Sequence, residues 1–194
     1  MNAKQIRMHG FLVCILTVFA LAFTALSLTG CSLLEDKKED LYFELYNNDT
    51  EYKVIRGGDN GGSIVIPATH NEKPVTRITD YTFLDSSITS VTIPASVESI
   101  GRLAFSNCSS LKTVTFKENS QLSRIEGEAF KNCIIITSFT IPENIETMDS
   151  RVFQGWTASQ TIYVPFKSEM EASVTWKESR RWRDDCNAKI VYKE

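Results

Sequence analysis

The fold is decided by a stretch that reads Ile88-Thr89-Ser90-Val91-Thr92-Ile93-Pro94-Ala95-Ser96-Val97-Glu98-Ser99-Ile100-Gly101-Arg102-Leu103-Ala104-Phe105-Ser106-Asn107-Cys108-Ser109-Ser110-Leu111. It holds a short alternating strand that ends at Pro94, a second extended piece that ends at Ile100, and a turn around Phe105. This pattern returns along the chain. The matching aromatic residues, spaced 22, 25 and 23 positions apart, are Phe83, Phe105, Phe130 and Phe153.

Other positions of the repeat agree as well. Five residues before the aromatic ring stand Ile78, Ile100, Ile125 and Met148, and the first strip ends in Pro67, Pro94, Pro142 or Pro165. No single copy has enough apolar surface to form a core, whereas stacked copies, with adjacent strands paired about 4.8 Å apart, bury their inward side chains in continuous columns. The pattern therefore predicts a mainly β repeat solenoid of four to five rungs over residues 63–165, with its strands paired from rung to rung.

The quoted stretch resembles the BspA-like leucine-rich repeat of bacterial surface antigens almost position for position, and the likeness covers residues 63–165. Residues 41–62 resemble the hairpin-like N-terminal cap of these proteins, and residues 166–194 hold what resembles their C-terminal helix and strand cap. Two departures are visible. Lys117 stands where the other copies have Pro, and Gly155-Trp156 replaces the Asn-Cys pair.

In proteins of this type the outward side chains of the strands form a broad face. Here that face consists of two rows, Ser63, Ser90, Thr113, Ser138, Thr161 and Val65, Thr92, Thr115, Thr140, Tyr163. The resemblance implies adhesion without catalysis, so Ser90, Thr92, Thr113, Thr115, Ser138, Thr140 and Tyr163 are candidate binding residues. A hydroxyl ladder also suits an ordinary solvated sheet, and both interpretations stay open.

The N-terminus has the order of an export signal. Lys4 and Arg7 precede the apolar run 11–28, and the end of this run, Leu28-Thr29-Gly30-Cys31, resembles the lipobox of bacterial lipoproteins. The resemblance implies a signal peptide over residues 1–30, lipid attachment at Cys31 and a charged tether over residues 31–40. An uncleaved membrane anchor is the alternative, because this run of eighteen residues, interrupted only by Thr17, Thr24 and Ser27, is just long enough to span a bilayer.

Charge argues against nucleic acid as a partner. The chain has 21 Lys and Arg against 24 Asp and Glu, and two of the basic residues lie in the first thirty, so the mature chain carries 19 against 24. A net charge near −5 does not favour binding to phosphates.

Residues for catalysis or metal binding are scarce. His70 is the one histidine after the signal and has no nucleophile elbow nearby, so we interpret it as a loop residue. The glycine-rich run 57–62 lacks the Lys-Ser/Thr of a phosphate loop and is interpreted as a flexible connection. No zinc or calcium spacing occurs. We expect no enzyme activity, no cofactor and no metal.

Three cysteines follow the tether. Cys108 and Cys133 occupy one repeat position, and neighbouring rungs bring them within reach of a disulfide. The resemblance instead implies inward-facing free thiols, which we favour. No partner for Cys186 is assigned from the sequence.

The C-terminal region holds one basic and aromatic cluster, formed by Trp176, Lys177, Arg180, Arg181, Trp182 and Arg183. A last rung exposes an open core and a strand edge, so a plug made of Met170, Val174, Trp176 and Trp182, followed by a strand at residues 189–192, is one interpretation. Binding of an acidic ligand by Arg180, Arg181, Arg183 and Trp182 is the other.

The sequence thus predicts a non-enzymatic lipoprotein, tethered to the membrane at the bacterial outer membrane or cell surface, whose repeat face binds proteins of a host or of other bacteria. A periplasm-facing structural or assembly lipoprotein is the alternative. The ligand and the oligomeric state stay open.

Overall fold

Short strands form nearly all the regular structure in the computed structural model, which describes residues 41–57, 61–168, 170–171, 176 and 181–194. The strands are β1 (Leu41–Tyr46), β2 (Glu51–Gly57), β3 (Gly62–Val65), β4 (Thr69–His70), β5 (Lys73–Ile78), β6 (Ile88–Ile93), β7 (Ser99–Ile100), β8 (Thr113–Phe116), β9 (Arg124–Ile125), β10 (Ser138–Thr140), β11 (Thr147–Met148), β12 (Thr161–Val164) and β13 (Lys189–Tyr192). This is the mainly β solenoid of about five rungs that the repeat predicts.

One side of the solenoid is a sheet in the order β1-β2-β5-β7-β9-β11, with β4 paired to β5, which we call the back sheet. From β2 onward its main path is parallel, and Ile78, Ile100, Ile125 and Met148 stand in register. All four side chains are fully buried. The second extended piece of each copy therefore forms the column that the repeat predicts.

The opposite side carries β3, β6, β8, β10, β12 and β13, which we call the front strands. They form two separate parallel sheets, β3-β6-β8 and β10-β12-β13. The expectation that every rung pairs with the next is therefore wrong at one step, because β8 and β10 do not form a ladder.

Large side chains account for this interruption. Phe139 occupies an inward position that the other rungs fill with Val or Ile, and Phe116 does the same at the next inward position, two residues further along the strand. The ring of Phe139 lies edge-on to Phe116, with centroids 5.7 Å apart, and also contacts Phe130 and Phe153 at 4.8 and 5.1 Å. Phe139 thus acts as a wedge at the step where the front strands separate.

The phenylalanines of the turns form a stacked column through the core. Phe83, Phe105 and Phe130 are near-parallel, with centroids 4.9 and 5.2 Å apart, and the step from Phe130 to Phe153 widens to 6.0 Å. Each of the four rings is at most 1% exposed. The column that the sequence predicts is confirmed, and its widest step coincides with the break in the front strands.

A hairpin covers the N-terminal end of the repeats. β1 and β2 are antiparallel and joined through Asn47, Asn48 and Asp49, all with left-handed backbone angles. β2 then pairs with β5 and ends at Gly57, where a Cβ atom would lie 2.2 Å from the ring of Phe83. Residues 58–60 of the glycine-rich connection lie outside the described residues.

Aromatic rings close the other end. Trp176 and Trp182 are buried, and Trp176 donates a hydrogen bond from Nε1 to the carbonyl of Ile145 at 2.9 Å. β13 adds the final strand beside β12, as predicted. Met170 is 77% exposed, so its assignment to the plug is wrong, because the tryptophans fill the space. Val174 lies outside the described residues.

The predicted signal peptide, Cys31 and the tether lie in residues 1–40, outside the described part of the chain. Among the residues that the structure describes, no helix is long and apolar enough to cross a membrane.

Truncation of the aromatic column provides a test of this fold. Phe105→Ala removes a fully buried ring between two others, so we expect the free energy of unfolding to fall by about 3–5 kcal/mol. Thr115→Ala is the control, since Thr115 is exposed, and its effect should be within about 0.5 kcal/mol. Urea denaturation measures both, and equal stabilities of the two variants would contradict the column.

Candidate functional site

The predicted rows of hydroxyl side chains lie on the front strands in the expected register. Ser63 aligns with Ser90 and Thr113 in the first sheet, and Ser138 aligns with Thr161 in the second. The second row runs Val65, Thr92, Thr115 and then, across the break, Thr140 and Tyr163. The structure therefore divides the candidate binding face into two patches instead of one ladder.

A cleft of about 670 Å³ lies between the two patches. It is lined by Lys112, Thr113, Val114, Thr115, Phe116, Lys117, Asn119, Ser120, Thr137, Ser138, Thr140, Pro142, Glu143 and Asn144. Four of the predicted binding residues line it, namely Thr113, Thr115, Ser138 and Thr140. Ser90, Thr92 and Tyr163 lie on the flanking strands.

Main-chain groups of both walls point into the cleft. The amide of Lys117, directly after β8, donates to the carbonyl of Ile93 on β6, and the carbonyl of Thr137 accepts from Thr161 on β12. Because successive residues of a strand direct their amide and carbonyl groups to opposite sides, the register of β6 with β8 turns the groups of Thr113 and Thr115 toward β6. The groups of Val114 and Phe116 on β8, and of Ser138 and Thr140 on β10, therefore face the cleft. The cleft thus has a free strand edge on each wall.

The interior of the cleft is partly apolar. Val114 and Phe116 are half-buried, whereas the matching residues Val91 and Ile93 of the preceding rung are fully buried. The loss of the β8–β10 ladder exposes these two side chains to any molecule in the cleft. A ligand would therefore meet apolar surface and unpaired main-chain groups together.

Charge is distributed unevenly around the cleft. Lys112 and Lys117 are exposed on the β8 side and form no ion pair with any residue that the structure describes. Glu143 on the β10 side accepts a hydrogen bond from Lys193 at 2.7 Å, which lowers the pKa of the Glu143 carboxyl. The carboxylate is neutralised and the lysines are not, so the cleft favours an anionic ligand.

Two isoleucines stand exposed beside this site. Ile134 and Ile135 are 56% and 37% exposed, and they replace Ser109 and Ser110 of the preceding rung. From them the chain continues directly to Thr137 in the cleft wall. Neither these isoleucines nor the lysines of the cleft belong to the site predicted from the sequence, although the Ser-to-Ile change is visible when each copy is compared with its neighbour.

The buried thiols have a structural role. Cys108 and Cys133 donate from Sγ to the carbonyls of Phe83 and Phe105, at 3.0 and 3.1 Å. Both are free, as predicted, and burial raises the pKa of the Cys108 thiol to about 12, so it stays protonated near neutrality. Cys186 is also free and half-buried.

Trp156 replaces the cysteine in the fourth rung and preserves the same hydrogen bond. Its Nε1 donates to the carbonyl of Phe130 at 2.8 Å. The adjacent Gly155 has a φ of +83°, and a Cβ atom there would lie 2.2 Å from Oδ1 of Asn132. The departure from Asn-Cys thus fits a larger ring into the end of the core while keeping the link between rungs.

His70 has an aromatic environment. It belongs to β4, stacks on Phe43 at 4.1 Å and meets the ring of Tyr52 edge-on at 4.6 Å. Its interpretation as a plain loop residue is therefore wrong, because it packs in the N-terminal cap. No group of three or more His, Cys, Asp or Glu side chains within the described residues is arranged to hold a metal.

The basic cluster at the C-terminus is divided by the structure. Trp182 is buried in the plug, and Arg181 is exposed but bonded through Nε to Asp184 at 2.6 Å, which raises its pKa. Arg183 is exposed, and Arg180 lies outside the described residues. The internal pairing of Arg181 makes this cluster a weaker site for an anion than the cleft.

Comparisons with known proteins place this geometry among bacterial repeat proteins. The family model for the BspA type leucine rich repeat region matches residues 76–174 in 6 copies. A leucine-rich repeat protein from Bacteroides capillosus ATCC 29799 is 34% identical, with a TM-score of 0.56, over 64% of this chain and 94% of that one. No curated protein matches the chain.

Two further solved structures share the architecture. The leucine rich repeat protein of T. pallidum superimposes with a TM-score of 0.61 at 18% identity, over 79% of this chain and 63% of its own, and supports the fold alone. A leucine rich cell surface protein from Faecalibacterium prausnitzii A2-165 is 28% identical with a TM-score of 0.51, over 66% of this chain and 41% of that one. The chain thus spans less than two thirds of each of these two proteins.

Hydrogen exchange tests directly whether β8 and β10 are unpaired. We expect the amides of Val114 and Thr140, which face the cleft, to exchange at least tenfold faster than the amide of Ile141, which donates to the carbonyl of Tyr163. Residue-resolved NMR exchange measures these rates. Thr92 is the internal control, since its amide faces the paired strand β3; protection of Thr140 equal to that of Thr92 would show that the strands are paired.

Proposed function

The chain belongs to the BspA-type leucine-rich repeat family, and on that basis we propose that it is a non-enzymatic binding protein of the bacterial cell surface that acts in adhesion. The observation that carries this proposal is the front face, where rows of exposed hydroxyl side chains flank an open cleft with apolar residues inside it. Such a surface offers many shallow contacts, which suits another protein as the ligand.

The comparisons support the surface location in general terms. The Faecalibacterium prausnitzii protein is described as a cell surface protein, and it shares 28% of its aligned sequence with this chain. The lipobox-like residues 28–31 supply a means of retention in the envelope. Acylation of Cys31 would place the repeats outside the bilayer on a tether of about ten residues, because two or more acyl chains anchor a protein stably.

The lipid anchor leads to a specific expectation for Cys31→Ala. Without the thiol there is no atom to acylate, so palmitate labelling should be abolished and the protein should be secreted or left as an uncut precursor. Metabolic labelling followed by membrane fractionation measures this. Cys186→Ala is the matched control and should keep full labelling; label retained in Cys31→Ala would contradict lipidation at this residue.

Protease treatment of intact cells separates the two possible orientations. A surface protein should lose its repeats to added protease, whereas a periplasm-facing structural lipoprotein should be cut only after the outer membrane is opened. The second outcome would favour the assembly role over adhesion, because a protected face has no access to host or bacterial partners.

The binding face is tested by charged substitutions on the front strands. We expect Thr92→Glu, Thr115→Glu and Thr140→Glu each to weaken attachment of expressing cells to immobilised matrix proteins, plasma proteins or bacteria by about threefold to tenfold, since contacts are spread over several rungs. Folding should not change, because these side chains lie on the solvated side of the strands.

Ser109→Glu serves as the control because it adds the same charge at an exposed turn outside the front face. If the three threonine variants attach normally while Arg181→Ala together with Arg183→Ala abolishes attachment, the basic C-terminal cluster is the binding site instead.

A further inference from the structure

We infer that the cleft between β8 and β10 binds an extended, acidic polypeptide segment, which pairs as an added strand with one of the two free strand edges. This inference rests on the proposed binding function and specifies the site and the chemistry of the ligand.

The main-chain groups of both cleft walls are spaced to pair with an added strand. Alternate residues of β8 and of β10 present their amide and carbonyl groups to the cleft, at the residue spacing of a strand. A second polypeptide in extended form has donors and acceptors at the same spacing, so it satisfies these groups in series. This is the mode in which an exposed sheet edge recruits a peptide strand.

The size and the lining of the cleft fit an extended peptide segment. A volume of about 670 Å³ lies in the range of 300–1,000 Å³ that is typical of ligand sites. Thr113, Thr115, Ser138 and Thr140 supply hydroxyls at its mouth, and Val114 and Phe116 supply apolar surface within. An extended segment presents alternate side chains to opposite sides, so β-branched residues would meet Val114 and Phe116 while polar residues meet the hydroxyls.

The charges around the cleft favour an acidic segment. Lys112 and Lys117 lie at the two ends of β8, so they bracket the strand edge, and neither forms an ion pair within the described part of the chain. The carboxylate of Glu143 on the other wall is already paired with Lys193. Carboxylates of a bound segment would therefore find cationic partners without competition from the protein's own acids.

A peptide library tests the inference without knowledge of the natural partner. The full chain, purified in mild detergent and immobilised, is panned with a displayed library of random dodecapeptides. We expect the recovered peptides to be rich in Asp and Glu alternating with Val, Ile or Thr, and to bind the chain as synthetic peptides in fluorescence anisotropy.

Two variants separate the cleft from general charge effects. The double variant Lys112→Glu, Lys117→Glu should weaken the selected peptides at least tenfold. The matched double variant Lys167→Glu, Lys189→Glu makes the same charge change at exposed lysines outside the cleft and should change affinity less than twofold. Equal loss in both double variants, or no loss in either, would overturn the assignment.

Main-chain pairing has its own readout. Methylation of alternate peptide nitrogens in one register removes the donors that an added strand needs, so one of the two registers should lose at least tenfold in affinity. Unchanged affinity in both registers would overturn pairing as a strand. Sedimentation of the free chain is the third measurement, and a dimer abolished by Lys112→Glu, Lys117→Glu would identify a second copy as the occupant and overturn the inference.

The outcomes distinguish this inference from the proposed function. Attachment of cells that persists in Lys112→Glu, Lys117→Glu, with no cleft-dependent peptides recovered, would leave the binding function in place and remove the cleft as its site. Cleft-dependent peptides from a chain that supports no attachment would remove the adhesion role and leave the cleft as a peptide site.

Discussion

Each rung of this protein buries its phenylalanine only because the next rung covers it. The rings of Phe83, Phe105 and Phe130 stack, and a thiol or indole from the following turn donates a hydrogen bond to the carbonyl of each of these residues. Each of these carbonyls also accepts a main-chain amide of its own turn, from Ser86, Cys108 and Cys133 respectively, so the thiol or indole adds the hydrogen bond that links one rung to the next. Stability therefore passes from neighbour to neighbour, and both ends of the column require caps.

The caps satisfy this requirement in different ways. At the N-terminal end the hairpin lays β2 against β5, and Gly57 leaves room for the ring of Phe83. At the C-terminal end Trp156, Trp176 and Trp182 continue the aromatic core, while the carbonyl of Arg181 extends the main-chain ladder by accepting a hydrogen bond from the amide of Arg151. The cationic side chains of this end are incidental to the plug, which is why its aromatic residues are the buried ones.

The same dependence on neighbours explains where a binding site can arise. The back sheet and the phenylalanine column continue through every step, so they hold the two halves together while the front strands separate around Phe139. At this step the solenoid gains two strand edges and an apolar lining, and Lys112 and Lys117, which form no ion pair with a described residue, give the opening its charge preference.

Much of this architecture is legible in the sequence, because a repeat places equivalent residues in columns and each column must be apolar to be buried. The spacing of Phe83, Phe105, Phe130 and Phe153 determined the rung, the register of Ile78 with Ile100, and the outward rows of Ser and Thr. The columns consist of positions that all rungs share. The cleft instead arises at the one step between β8 and β10, where Phe116 and Phe139 replace smaller residues. Whether Phe116 and Phe139 fit within the ordinary strand spacing, and hence whether β8 pairs with β10, depends on the volume available between packed rings, which only the tertiary structure decides.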